Sequence, residues 1–391
     1  MHPVRAYLIF SFGMGMATCF SATTYVPYLR TIGLTMADVT LINAVFWAVI
    51  TIAEVPTGLV ADARSRSWSI RAGVLLLCLS SFAYVFFVKG IVTALIIELN
   101  SGIGFAFLSG AQTAWATDAL DKRGESHRLQ RTLSHSAMLR SAGALVGGVV
   151  GGWFGTVSLR LPFFLDGIVY LVLFGFVLHT MRSDGEPVER LTERKALSES
   201  LRALKAQPAL RWILVAGMLV GFVLPYNLGW AVYTRERFGV WSVSWVWAFL
   251  LLAVMAGGYL SRNRSVAKSR LPHAICLSLC CMGIGLAMTG STPSPIFFLV
   301  GAGLHEVTSG IYGVVSELFV QERIGSSYRA TFGSLNSFFS KLGYALVLGA
   351  ATLLFGSSSD PAHIQAVWMV MGALLAASAF VLWLFRPRVS S

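Results

Sequence analysis

The sequence predicts an all-α integral membrane protein with twelve transmembrane helices, arranged as two six-helix bundles related by a pseudo-twofold axis along the membrane normal. Three observations predict it. Hydrophobic residues make up 55% of the 391 and charged residues only 12%, with a mean hydropathy of +0.70, whereas a soluble domain is about a quarter charged. Apolar runs of roughly 20 residues, long enough to cross a bilayer, occur twelve times. The second half of the chain also repeats landmarks of the first in the same order.

The spans read as 6–29, 38–60, 72–88, 91–118, 134–157, 161–181, 212–234, 240–260, 272–290, 295–320, 331–356 and 363–385. Helices of this kind satisfy their backbone hydrogen bonds inside lipid. They use up most of the chain, so the loops hold no soluble catalytic domain. Arg5 precedes the first span as in a secretory leader, but the apolar run is too long and no small-residue cleavage site follows.

A net charge of +12 would suggest a nucleic-acid partner in a soluble protein. Here the charge lies between apolar runs and reads as topology, so no nucleic acid is expected. The termini and the even-to-odd loops carry 23 of the 30 Lys and Arg, against five on the other side: Arg30, Lys89, Arg160, Arg235 and Arg237. Positive loops stay inside. Both termini are therefore expected in the cytoplasm and the chain in a cell (inner) membrane. The five cysteines, Cys19, Cys78, Cys276, Cys280 and Cys281, all fall in apolar spans and read as packing residues. No metal or cofactor is expected.

Residues 182–211 form the one long polar segment and divide the spans six and six, into an N-terminal bundle 1–181 and a C-terminal bundle 212–391. Leu191, Leu197, Leu201 and Leu204 have helical spacing, which fits an amphipathic helix on the inner membrane surface as well as a solvated connector. Glu98-Leu-Asn-Ser-Gly-Ile103 repeats as Glu306-Val-Thr-Ser-Gly-Ile311, an offset of 208. Arg140, Ala144, Leu145, Val146 and Gly148 match Lys341, Ala345, Leu346, Val347 and Gly349 at 201, and Gly58 and Arg64 match Gly258 and Arg264 at 200. Ordered matches at nearly constant offset indicate a duplicated six-helix unit.

After span two, Gly58-Leu-Val-Ala-Asp62-Ala-Arg-Ser-Arg66-Ser-Trp-Ser-Ile70 resembles the signature of the major facilitator superfamily, with Ala63 and Ser65 departing from it. Gly143, Gly147, Gly148, Gly151 and Gly152 resemble the glycine-rich fifth helix of that family's proton-coupled exporters, with Gly148 in place of a proline. Glu98 stands where the family's fourth helix carries a basic residue, and Gly102 matches. The resemblance covers the full length and implies alternating access around a cavity lined by helices one, four, seven and ten. It also implies that Gly58, Asp62, Arg66 and Asp118 form a cytoplasmic gate.

An ionisable side chain in hydrocarbon costs at least about 2.5 kcal/mol, so each one needs a partner or a task. Glu98 shares a helical face with Ser101, Gly102, Ser109, Gln112 and Thr113, and Glu306 with Ser309, Gly310, Gly313 and Glu317. The repeat predicts that the two stripes face each other. Tyr25 and Tyr28 in span one and Tyr226, Asn227, Trp230 and Tyr233 in span seven would complete the cavity. Glu98 and Glu306 either exchange protons against substrate or are neutralised by neighbouring cations. His305 either joins that relay or packs as a neutral ring. Arg140 and Lys341 are repeat-equivalent embedded cations that attract an anionic substrate or pair with Glu54, Asp118 or Glu317. Pro56 reads as a structural bend in span two. Asp166 reads as cavity-facing or paired with Arg160.

Three functions compete. The first is a proton-coupled antiporter exporting a small amphiphilic or cationic molecule, with small-molecule substrate, protons and lipid bilayer as partners and a monomer as the unit. The second is an importer or uniporter of a metabolite, siderophore or lipid-like anion. The third, a membrane enzyme, receptor or scaffold, lacks any HExxH, GxxxxGK or Gly-x-Ser-x-Gly signature.

Overall fold

The computed structural model describes residues 1–181, 202, 204–205, 207–262, 268–291, 293–323, 329–356 and 360–387. Fifteen α-helices lie among them: α1 (Pro3–Phe20), α2 (Tyr25–Thr31), α3 (Met36–Ala63), α4 (Arg66–Phe86), α5 (Ile91–Leu108), α6 (Ala111–Asp121), α7 (Leu129–Val157), α8 (Leu161–Thr180), α9 (Pro208–Leu219), α10 (Leu224–Phe238), α11 (Ser242–Arg262), α12 (Leu271–Ser291), α13 (Pro295–Gln321), α14 (Arg329–Phe355) and α15 (Pro361–Leu384). They make twelve segments long and apolar enough to cross a membrane. The expected spans match these closely, as 272–290 does Leu271–Ser291 and 295–320 does Pro295–Gln321. The linker helix expected over 191–204 lies almost wholly outside the described residues.

Local chemistry sets the helix ends. The Ser65 side chain accepts the Trp68 amide at 3.1 Å to open α4, and Asp360 accepts Ala362 N at 3.0 Å to open α15. Both satisfy amides that have no partner within the helix. Large apolar side chains stand outward: Leu353 is 84% exposed, Val157 76% and Phe385 75%. A water-soluble surface does not carry so many, and lipid is the solvent that suits them.

Three spans expected as continuous helices are broken. Span one is interrupted by a turn at Ser21–Thr24, where the Thr24 and Tyr25 amides both turn back to the Ser21 carbonyl, at 2.9 and 2.7 Å. Pro27, early in α2, cannot donate to the carbonyl four residues before it. Span four breaks at Ser109–Gly110, where Gly110 takes φ +75, a left-handed conformation that favours glycine. Span seven passes through a 3-10 turn, Val220–Val223, just before Pro225. The Trp368 indole donates to the Pro225 carbonyl at 3.2 Å.

The helices form two compact units. One comprises Met1–Leu34, Val45–Val188 and Thr234–Ala248, and the other Thr35–Ala44, Glu189–Tyr233 and Phe249–Ser391. The first has a core of Tyr7, Phe10, Met14, Ile70, Val74, Trp115 and Tyr170. Its tightest seam is α1 against α7. A Cβ at Gly143, Gly147 or Gly151 would collide with the carbonyl oxygens of Phe12, Met16 and Phe20, and one at Gly15 with that of Arg140. Backbone therefore meets backbone, as small residues allow in membranes. Gly148 and Gly152 point elsewhere, to Trp247 and Ser244 of α11, and the Trp247 indole donates to Ala144 O at 3.1 Å. The second unit has a core of Trp212, Ile213, Leu279, Met282, Phe319, Phe332 and Leu375. In it, α12 and α15 close through Gly283 and Gly372.

Candidate functional site

Glu98 lies on α5 in the first unit and is 7% exposed. The Tyr84 hydroxyl, from α4, donates to its Oε1 at 2.6 Å, and Tyr25 of α2 also hydrogen-bonds the carboxyl. Rings surround the group. Tyr25 meets Tyr84 edge-on at 5.8 Å, and Phe163 of α8 lies 5.0 Å from Tyr84 and 5.3 Å from Tyr28. Tyr28 is fully packed, and its hydroxyl donates to the Tyr84 carbonyl at 3.0 Å. The result is a carboxyl group held by tyrosine hydroxyls and enclosed by aromatic rings. Tyr84 was not among the residues singled out from the sequence. A tyrosine in an apolar span carries no signal of its own.

The stripe expected to run from Glu98 to Gln112 and Thr113 is cut at Gly110. Ser109 donates instead to Glu54 Oε1 of α3 at 2.5 Å. Beyond the break, buried Gln112 accepts Arg140 Nη2 at 2.6 Å. Arg140 thus meets a neutral amide rather than the acids considered for it, and among the described residues no carboxylate lies within salt-bridge distance. Asp166 is 3% exposed and packs at the break in span one, hydrogen-bonded by Ser21, with Oδ1 unpartnered among the described residues. It does not pair with Arg160, whose guanidinium lies 5.9 Å from the Tyr28 ring.

In the second unit, half-buried Glu306 sits on α13 beside His305, with Oε1 3.9 Å from the imidazole Nε2. His305 is 1% exposed, its Nδ1 3.4 Å from Met282 O, and Tyr226 packs edge-on against it at 5.2 Å. Tyr226 and Tyr233 are buried around Trp368, at 5.3 and 5.4 Å, and Gln365 donates to the Tyr233 hydroxyl at 3.1 Å. Trp230 is buried as well, while Asn227 is exposed. Of the four residues expected from span seven, Asn227 alone is open to its surroundings.

For the gate residues, Arg66 and Asp118 are both half-buried, and Gly58 has nothing within 4 Å of where a Cβ would stand. The Asp62 side chain lies outside the described set. Lys341 is half-buried on α14.

Comparison with known proteins adds a decisive match. The sequence model of the Major Facilitator Superfamily matches residues 6–348. The chain belongs to the major facilitator superfamily. Among curated proteins it is similar to the quinolone resistance protein NorA of Staphylococcus aureus (strain MRSA252), 23% identical over 375 residues that cover 91% of this chain and 89% of NorA. Among solved structures it shares its fold with the nucleoside transporter NupG, at a TM-score of 0.76 and 14% identity, covering 98% of each chain. The D-xylose-proton symporter is similar at 0.76 and 15%, covering 98% of this chain and 97% of that one. A member of this superfamily is a multi-pass membrane transporter rather than an enzyme, with a small molecule as substrate and the lipid bilayer as its medium.

Proposed function

We propose that the protein is a proton-coupled antiporter that exports a small amphiphilic or cationic molecule by alternating access, working as a monomer in the inner membrane with both termini cytoplasmic. The observation that carries this reading is Glu98 in its aromatic box, held by Tyr84 at 2.6 Å. A desolvated carboxylate needs a proton or a cation to offset its charge. Proton and cationic substrate therefore compete for one group, and competition of that kind couples their opposite movements. Glu306, beside Asn227-bearing span seven in the sequence repeat, is assigned the matching role. The similarity to NorA, named for quinolone resistance, supports export of amphiphilic compounds.

Arg140 favours a second reading. A guanidinium that, among the described residues, meets the Gln112 amide and no carboxylate suits an anionic substrate, as the importer reading requires.

The test is lumenal pH in proteoliposomes holding the purified protein while a quinolone, an organic cation and an organic anion are added outside. Lumenal alkalinisation with the first two, lost in Glu98→Gln and Glu306→Gln, is the expected result. Acidification would mean symport and would replace this reading with the importer.

A further inference from the structure

A cavity of ≈ 560 Å³ opens beside the N-terminal end of α7, lined by Val4, His127, Arg128, Arg131, Thr132 and His135. It lies far along the chain from Glu98 and Glu306, and the transport reading leaves it unused. Its chemistry is one-sided. Two guanidiniums and two imidazoles line it, the Thr132 hydroxyl donates to the Arg128 carbonyl at 2.9 Å, and the neighbouring acid, Glu125, is already engaged by Arg128 at 2.8 Å and by His2 at 3.2 Å. Against the desolvation of its setting, hydrogen bonds from His2 and Arg128 hold the Glu125 carboxyl below its ordinary range. Arg131, His127 and His135 make no hydrogen bond or ion pair among the described residues, and Lys122 and Arg123 stand exposed just before them.

Helix length fixes the depth of this cavity. The span Ser126–Val157 has 32 residues, about 48 Å at 1.5 Å per residue, whereas the hydrocarbon core is about 30 Å thick. Its far end is marked by Val157 and the short turn to Arg160, so roughly the first twelve residues project beyond hydrocarbon into the headgroup layer. The cavity residues fall within that stretch. Met138, one turn further in from His135, is 67% exposed, and Met1 is 60% exposed. A basic cavity thus stands above apolar surface, matching a ligand with an anionic head and an apolar tail.

We infer that this cavity is a binding site for a phosphate-bearing anion, supplied by the headgroup of an anionic phospholipid. Arg131 takes the phosphate oxygens, joined by the Arg128 nitrogens that Glu125 leaves open. Each arginine at a headgroup contributes about fivefold in affinity.

Native mass spectrometry of the purified protein with phosphatidylglycerol or phosphatidylcholine tests it. Phosphatidylglycerol should be retained over phosphatidylcholine, with the preference reduced about fivefold in Arg131→Gln and further in the Arg128→Gln/Arg131→Gln double variant. Arg160→Gln, at the opposite end of the same span, should leave it unchanged. Inorganic phosphate that displaces the lipid would assign the cavity to soluble phosphate; failure to displace it would assign it to lipid. Equal retention by wild type and Arg131→Gln, with both folded by thermal melting, would overturn the site.

Discussion

Tyr84 joins three helices through one side chain and one carbonyl. Its hydroxyl donates to Glu98 on α5, its backbone oxygen accepts from Tyr28 on α2, and it belongs to α4. A hydrogen bond to a charged group contributes about 1.5 to 3 kcal/mol, up to roughly a hundredfold in a rate that depends on it. Tyr84→Phe keeps the ring and removes that bond alone. It should cut initial transport rates by a factor within this range while the protein still folds; unchanged rates would take the bond out of the mechanism. Glu98 was legible in the sequence because an acid inside an apolar run is costly and conspicuous. Tyr84 was not, since its value depends on which helix faces which, and a phenol in a membrane span looks like ordinary packing. The same holds for Asp166: the residue stood out, but Ser21 at the break of span one did not.

At the scale of elements, glycine decides how closely helices approach. The five glycines of span five read as one packing face, yet the structure divides them. Gly143, Gly147 and Gly151, four residues apart, meet the backbone of α1, while Gly148 and Gly152 meet side chains of α11. The period was visible in the sequence, and the identity of each neighbour was not. Gly147→Leu has to push the Met16 backbone aside, an overpacking that costs about 1–3 kcal/mol or more. It should lower the melting temperature and abolish transport while the protein still inserts. Gly349→Ala meets nothing within 4 Å and should leave both unchanged. Purified yield, melting temperature and initial rate read the difference. The breaks at Ser21–Thr24, Gly110 and Val220–Val223 escaped the hydrophobic pattern entirely, because hydropathy reports length and polarity and is blind to backbone direction.

Across the whole molecule, topology follows from charge. The proposed orientation places the loops bearing Lys89 and Arg160 outside and the loop bearing Lys122 and Arg123 inside. A membrane-impermeant thiol reagent applied to intact cells should label Lys89→Cys and Arg160→Cys but not Arg123→Cys, in a background lacking the five native cysteines. Reversed labelling would invert the orientation. The twelve spans were legible because lipid imposes one rule on every span, and that rule is written in composition; the superfamily was legible through the resemblance of residues 58–70 and of the fifth-helix glycines to its signatures. The site was legible in its charged members and in Tyr25 and Gln112, while Tyr84 and Ser21 escaped because such neutral partners are chosen by helix packing.

The seam between α1 and α7 bears on motion. Where carbonyl meets glycine along four successive contacts there is no rotamer to absorb a sidestep, so the two helices travel as one stiff plank. Span one has a single place to yield, the four residues Ser21–Thr24. Beyond that break α2 is tied to other partners, Tyr25 to the Glu98 carboxyl and Tyr28 to the Tyr84 carbonyl at 3.0 Å, so one span is riveted to α7 on one side of the turn and laced to α4 and α5 on the other.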